Sequence, residues 1–251
     1  MTTVLIALTL IPPFFLLWRV YQNDKIEREP PKLLLIIFVL GMLSTIPAGI
    51  LEMAGAIVLE LILPQEFINS AVGFRIYNFL FYVIVVGGAE ELVKFLAMRI
   101  PTWRNRAFNY VFDGVVYGVT AAMGFAALEN VLYVFIGENG PSLSTAGMRS
   151  WTSIPMHCIT GVFMGHYYGI AKAAERWSDS RIRVPSLRYK IRNRMLCSCI
   201  LIPMVLHGIY DFIVTDGSTI ALLLFFVYII VLDIFAFRSL KKYAKYDTSL
   251  Q

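Results

Sequence analysis

Residues 219–237 read TIALLLFFVYIIVLDIFAF, an apolar run interrupted by a single charge, Asp233. A helix of that length covers about 30 Å, the thickness of a bilayer's hydrocarbon core. Six further apolar blocks precede it, at 3–21, 33–63, 71–98, 110–136, 151–174 and 195–214. The whole chain of 251 residues is 58% hydrophobic and 16% charged, whereas soluble domains run at roughly 45–50% and about 25%. The reading is an all-α, polytopic transmembrane bundle of about seven spans, with residues 1–251 forming a single membrane-embedded domain. Pro47 is expected to kink the long second block, with the stretch after Glu52 lying along the interface. The first block lacks a preceding basic segment and a following small-residue cleavage site, so it is expected to be an anchor.

The basic residues support the same count. Of 22 Lys and Arg, 19 fall in four segments, Arg19 to Lys32, Arg99 to Arg106, Lys172 to Arg194 and Arg238 to Lys245. Seven crossings place all four on one side, and positive-inside bias then puts the N-terminus outside and the C-terminus in the cytoplasm. The formal charge of +5 therefore reads as a topology signal that touches anionic lipid, not as a nucleic-acid surface. Cys158, Cys197 and Cys199 sit in apolar blocks and read as small hydrophobes. The Gly- and Ser-rich stretch at 138–147 reads as an outer loop.

Charges inside spans carry the functional reading, because each costs about 2.5–3.5 kcal/mol on insertion scales. In the third block Lys94 follows Glu90 by four residues and Glu91 by three, so it can reach either carboxylate. In the fourth, Phe125 lies one turn before Glu129, and Gly118 and Ala122 share the face of Glu129, which lets a neighbouring helix approach. In the sixth, His207 and Asp211 are one turn apart, where a carboxylate can set the tautomer of the imidazole. In the fifth, His157 begins a stripe continued by Gly161, Gly165 and Gly169, while His166 points the opposite way. Glu52, Glu60, Arg75 and Arg149 read as residues near the membrane surfaces.

Four carboxylates against one ammonium in a low-dielectric site require either bound protons or a bound cation. Two chemistries stay open at this point. A carboxylate beside an orienting imidazole can activate water directly, or Glu129, His157 and His207 can ligate zinc with another Glu as base. Proton- or ion-coupled transport is the rival reading, since buried charges mark transporters too; neither an inverted repeat nor matching broken helices is visible.

Glu-Glu-x-x-Lys at Glu90 to Lys94, Phe-x-x-x-Glu at Phe125 to Glu129 and His-x-x-x-Asp at His207 to Asp211 together resemble the PrsW family of intramembrane proteases. The stretch from Asp113 to Gly118 and the pair Arg149 and His157 are similar to further segments of that family. The resemblance implies a multi-pass cell-membrane protease that cuts a single-pass membrane protein, as in first-site cleavage of an anti-sigma factor. It implies catalytic roles for Glu90, Glu91, Lys94, Glu129, His157, His207 and Asp211. In the related CAAX prenyl proteases a His stands where this chain has Glu129, so zinc and a metal-free site both stay open.

Overall fold

The computed structural model describes residues 1–137, 140–176 and 185–250. Its helices are α1 (Thr2–Tyr21), α2 (Pro31–Leu43), α3 (Thr45–Ile62), α4 (Gln65–Ile68), α5 (Ala71–Leu80), α6 (Gly87–Thr102), α7 (Asp113–Phe135), α8 (Leu143–Trp151), α9 (Ser153–Arg176), α10 (Pro185–Asp216) and α11 (Thr219–Lys245). Between α5 and α6 the chain stays helical but widens into a π turn over Phe81–Val86. Tyr110 and Ser249 form an isolated antiparallel bridge, and no strand occurs among the described residues.

Five segments are long and apolar enough to cross a membrane: Thr2–Tyr21, Pro31–Ile62, Asp113–Phe135, Leu187–Asp216 and Thr219–Lys245. The third and fifth expected spans do not meet that measure. The third is divided by the π turn, and α6 carries Glu90, Glu91 and Lys94. The fifth, α9, has the length but is diluted by His157, His166 and its glycines.

Two local expectations are corrected. The second block breaks at Ser44, three residues before Pro47. Pro47 falls in the first turn of α3, where its missing N–H has no helical acceptor to satisfy. The stretch expected as an outer loop is partly helical: α8 starts at Leu143, capped by the Ser142 hydroxyl, which accepts from the N–H of Thr145. Glu138 and Asn139 of that stretch, and 181–184 of the expected basic surface run, lie outside the described residues.

Helix α7 is the centre of the bundle, with every residue from Asp113 to Ala127 buried. Its tightest neighbour is α9, and glycines explain why. A methyl group placed on Gly118 would lie 2.4 Å from the Gly161 carbonyl oxygen, and one on Gly165 would lie 2.1 Å from that of Gly114. Only small residues permit backbones to meet this closely, and close contact is what holds helices together where lipid competes for apolar surface. Helices α1 and α2 pack against other faces of α7. The periphery is apolar instead of polar: Leu222, Leu223, Phe226, Val227 and Ile230 of α11 are all exposed, as lipid-facing side chains are. The three cysteines are free thiols.

Gly165→Leu is expected to lower the thermal midpoint of the detergent-solubilised protein, with an overpacking loss of about 1–3 kcal/mol. Gly49→Ala, where a methyl meets nothing within 4 Å, is the control expected to leave the midpoint unchanged or slightly raised. Equal midpoints for wild type and Gly165→Leu would remove the glycine interface as a determinant of the fold.

Candidate active site

The π turn sets the position of the acidic pair. A methyl group on Gly208 of α10 would come within 2.3 Å of Val83 Cα in the π turn, and one on Gly87 within 2.7 Å of the Met204 carbonyl oxygen. This second glycine contact brings α10, and with it His207, directly against the start of α6. π turns recur at functional sites because the extra residue in the turn re-aims the side chains after it.

Beyond that turn, Lys94 Nζ donates to Glu90 Oε2 and Glu91 Oε1, both at 2.9 Å, and the Lys94 and Glu91 side chains have no exposed surface. The third contact of Nζ is His157 Nδ1 on α9, also 2.9 Å away. An ammonium has donors only, so Nδ1 must accept, and the ring proton of His157 sits on Nε2. That N–H donates to Glu129 Oε2 on α7 at 2.8 Å. Glu129 Oε2 also accepts from Arg149 Nη2 on α8 at 2.7 Å, while Arg149 Nε donates to Asn130 Oδ1. On α10, His207 Nδ1 donates to Glu91 Oε1 at 2.9 Å, and its Nε2 stands 3.4 Å from Asp211 Oδ2. The two imidazoles meet edge to face with centroids 4.9 Å apart. Phe125 covers the far side of the ammonium, its ring centroid 4.2 Å from Nζ, a cation–π contact in a dry setting.

All seven residues expected from the sequence thus belong to one network. His166 lies apart, stacked on Tyr243 with centroids 3.5 Å apart, as its opposite helical phase requires. Two residues were misread as surface. Arg149 is tied into the site through Glu129 and lies over the Tyr133 ring at 4.0 Å. Glu52 of α3 is partly buried, on a helix that packs against α6. The signal for Glu52 was available, because it is a carboxylate in the middle of an apolar run.

Glu90, Glu91, His157 and His207 each offer a ligand atom, all within 4.8 Å of one another. Their types suit zinc, but their arrangement does not fit a metal. Glu90 Oε2, Glu91 Oε1 and His157 Nδ1 all converge on Lys94 Nζ. The ammonium stands where the ion would have to stand. Glu91 Oε2, buried and without a partner, is the acceptor left free in the cluster. Glu129, expected among the ligands, stands outside this group of four and is committed to His157 and Arg149.

Comparison with known proteins yields relatives throughout the chain. Residues 29–236 match the family described as "PrsW family intramembrane metalloprotease". Protease PrsW of Clostridioides difficile is 30% identical over 246 residues, 97% of this chain and 92% of that protein. Protease PrsW of Bacillus subtilis is 28% identical over 214 residues, 85% of this chain and 84% of its own length, and that of Oceanobacillus iheyensis is 30% identical over 231 residues, 92% of each. No solved structure matches. Full-length similarity of this kind, on a chain that buries acids and imidazoles among membrane-length helices, makes the protein a multi-pass membrane protease belonging to the PrsW family.

Proposed function

We propose that this chain is a single membrane-embedded protease domain that hydrolyses a peptide bond of a single-pass membrane protein, with the Glu90–Glu91 pair activating water. The observation that carries the reading is the convergence of Glu90, Glu91 and His157 on Lys94, each at 2.9 Å. A buried carboxylate pair locked by an internal cation is preorganised before substrate arrives, so little reorganisation is needed as the reaction proceeds.

In this mechanism Glu90 is the general base. Its side chain is 7% exposed and that of Glu91 is not exposed at all, so Glu90 is the more accessible member of the pair. Water places its oxygen on the scissile carbonyl carbon as Glu90 takes a proton. The negative charge moves to the carbonyl oxygen, and the C–N bond then breaks as Glu90 returns the proton to the departing amine. Glu91, held by Lys94 and His207, offers its free Oε2 as a second acceptor for the same water. His207, doubly protonated between Glu91 and Asp211, donates from Nε2 to the developing oxyanion. His157, Glu129 and Arg149 position Lys94 from the far side. No step is routed through a metal.

The resemblance of the motifs points to an anti-sigma factor or a similar single-pass protein as substrate. The seven-span topology, N-terminus outside and C-terminus cytoplasmic, is part of the same proposal. Helix α9 has 24 residues, about 36 Å at 1.5 Å per residue, which is enough to cross. The ends of α1, α6 and α11 meet at one end of the bundle, where Leu250 N–H donates to the Asn109 carbonyl at 2.7 Å and Asn109 Nδ2 to Glu27 at 2.9 Å. That meeting is what an odd number of crossings between these ends and the N-terminus requires.

Three outcomes test these statements. Purified Glu90→Gln/Glu91→Gln protein is expected to cleave a single-pass substrate about 10²–10⁴-fold more slowly than wild type, with a zinc chelator leaving the wild-type rate unchanged. Unaltered cleavage by the variant would reject the site, and chelator loss restored by zinc would reject the metal-free mechanism. Lys94→Met leaves two buried carboxylates without their cation, so unfolding measurements should record a loss of about 3–5 kcal/mol together with loss of cleavage. In a protein whose three cysteines are replaced by alanine, Ser144→Cys should react with an impermeant maleimide on intact cells and Arg106→Cys should not. The reverse pattern would invert the topology.

A further inference from the structure

A second group of acids, remote from the proposed chemistry, lies where three chain segments meet. Asp24 and Glu29 come from the connector between α1 and α2, and Asp113 opens α7. One oxygen from each lies within 4.8 Å of the other two, and the residues are only 4%, 3% and 1% exposed. Asp113 Oδ2 accepts from the backbone N–H groups of Asn109 and Tyr110 at 2.9 and 2.7 Å, and the Tyr117 hydroxyl donates to Glu29. Among the described residues no Lys, Arg or His forms an ion pair with any of the three; the ion pairs present lie elsewhere.

Two buried oxygens here have no hydrogen-bond partner. One is Asp24 Oδ2, within the cluster itself. The other is Oδ1 of Asn109, a residue 91% buried and tied to the same cluster by its backbone N–H to Asp113 and its Nδ2 to Glu27. An unsatisfied buried acceptor costs about 1–3 kcal/mol, and more when charged. An unpartnered carboxylate oxygen within a cluster of three buried acids that no cation among the described residues pairs describes a site that lacks its positive charge.

We infer that Asp24, Glu29 and Asp113 form a binding site for a hard divalent cation such as calcium. The donors are all oxygens, the set that Ca²⁺ and Mg²⁺ take and zinc does not prefer. Three buried protein carboxylates suit Ca²⁺, whereas Mg²⁺ keeps several waters and takes only one or two carboxylates. The ion joins the α1–α2 connector to the first turn of the central helix. Asp247 Oδ1 supports the same region from the C-terminal tail by accepting from the N–H of Phe112 at 2.8 Å. The site is separate from the Lys94 network and its occupancy does not depend on the protease mechanism.

The test is thermal unfolding of the full chain in detergent at pH 8, with a chelator, with CaCl₂ and with MgCl₂. Wild type is expected to gain at least about 3 °C in calcium over chelator, and less in magnesium. Asp24→Asn, nearly isosteric, should lose the calcium response, while Glu90→Gln/Glu91→Gln should keep it, which assigns the ion to this cluster. A wild-type midpoint indifferent to both ions, or an equal calcium shift in Asp24→Asn, overturns the site. Tb³⁺ provides a direct probe if Asp24→Asn does not accumulate. Wild type should show tyrosine-sensitised Tb³⁺ emission that calcium displaces, since Tyr117 contacts Glu29; emission that calcium does not displace, or none, overturns it equally.

Discussion

The Lys94 ammonium, fully enclosed between two carboxylates and an imidazole, is the constraint on which the rest of the site depends. Two neighbouring acids cannot be carried into hydrocarbon-surrounded protein without a compensating charge, and removing one partner of a buried pair is far more damaging than never having placed it. The helix itself supplies the compensation, because positions three and four residues on from Glu91 and Glu90 coincide at Lys94. From there the network runs outward: through His157 to Glu129 and Arg149, and through Glu91 to His207. Helices α6, α7, α8, α9 and α10 are tied together by contacts that tolerate little error in position.

Such accuracy comes from packing without side chains. Helix α9 meets α7 through Gly161, Gly165 and Gly169 opposite Gly114 and Gly118, and α10 meets the π turn through Gly208 and Gly87. In a bilayer these backbone contacts substitute for the hydrophobic drive that orders a soluble core. His157 lies one turn before Gly161, and His207 directly precedes Gly208. Both imidazoles of the network thus stand on helices whose positions are fixed by backbone contact at glycines. The acidic cluster around Asp113 sits at the other end of the central helix from Glu129, where connectors and the C-terminal tail converge.

Much of this was legible in residue spacing. The pairing of Lys94 with both acids, the His207–Asp211 turn, the interior face of Glu129 and the opposed phases of His157 and His166 all follow from 3.6 residues per turn. The misreadings have one cause. Arg149 and Glu52 were assigned to the surface because neither has a charged residue within one helical turn, and such a charge acquires meaning only from a partner on another helix. Asp24 and Glu29 escaped notice for the same reason, since connector acids ordinarily face water, and Asp113 was read only as part of a family-like stretch. The residues left hydrolysis and transport both open; kinship with the PrsW proteases along the chain decides for hydrolysis.

What the sequence determined by itself is therefore whatever depends on one helix at a time: the apolar lengths that cross a bilayer, the acid–lysine turn, and the glycine face of α9. Those features follow from local geometry and from the cost of placing charge in lipid. Only the tertiary structure decided that Lys94 reaches His157, that Arg149 closes on Glu129, and that the ammonium occupies the point where Glu90, Glu91 and His157 converge. Contacts between helices depend on crossing distance and rotation, and these are set by backbone approach at glycines and by the π turn, which hydrophobic periodicity along a chain does not encode.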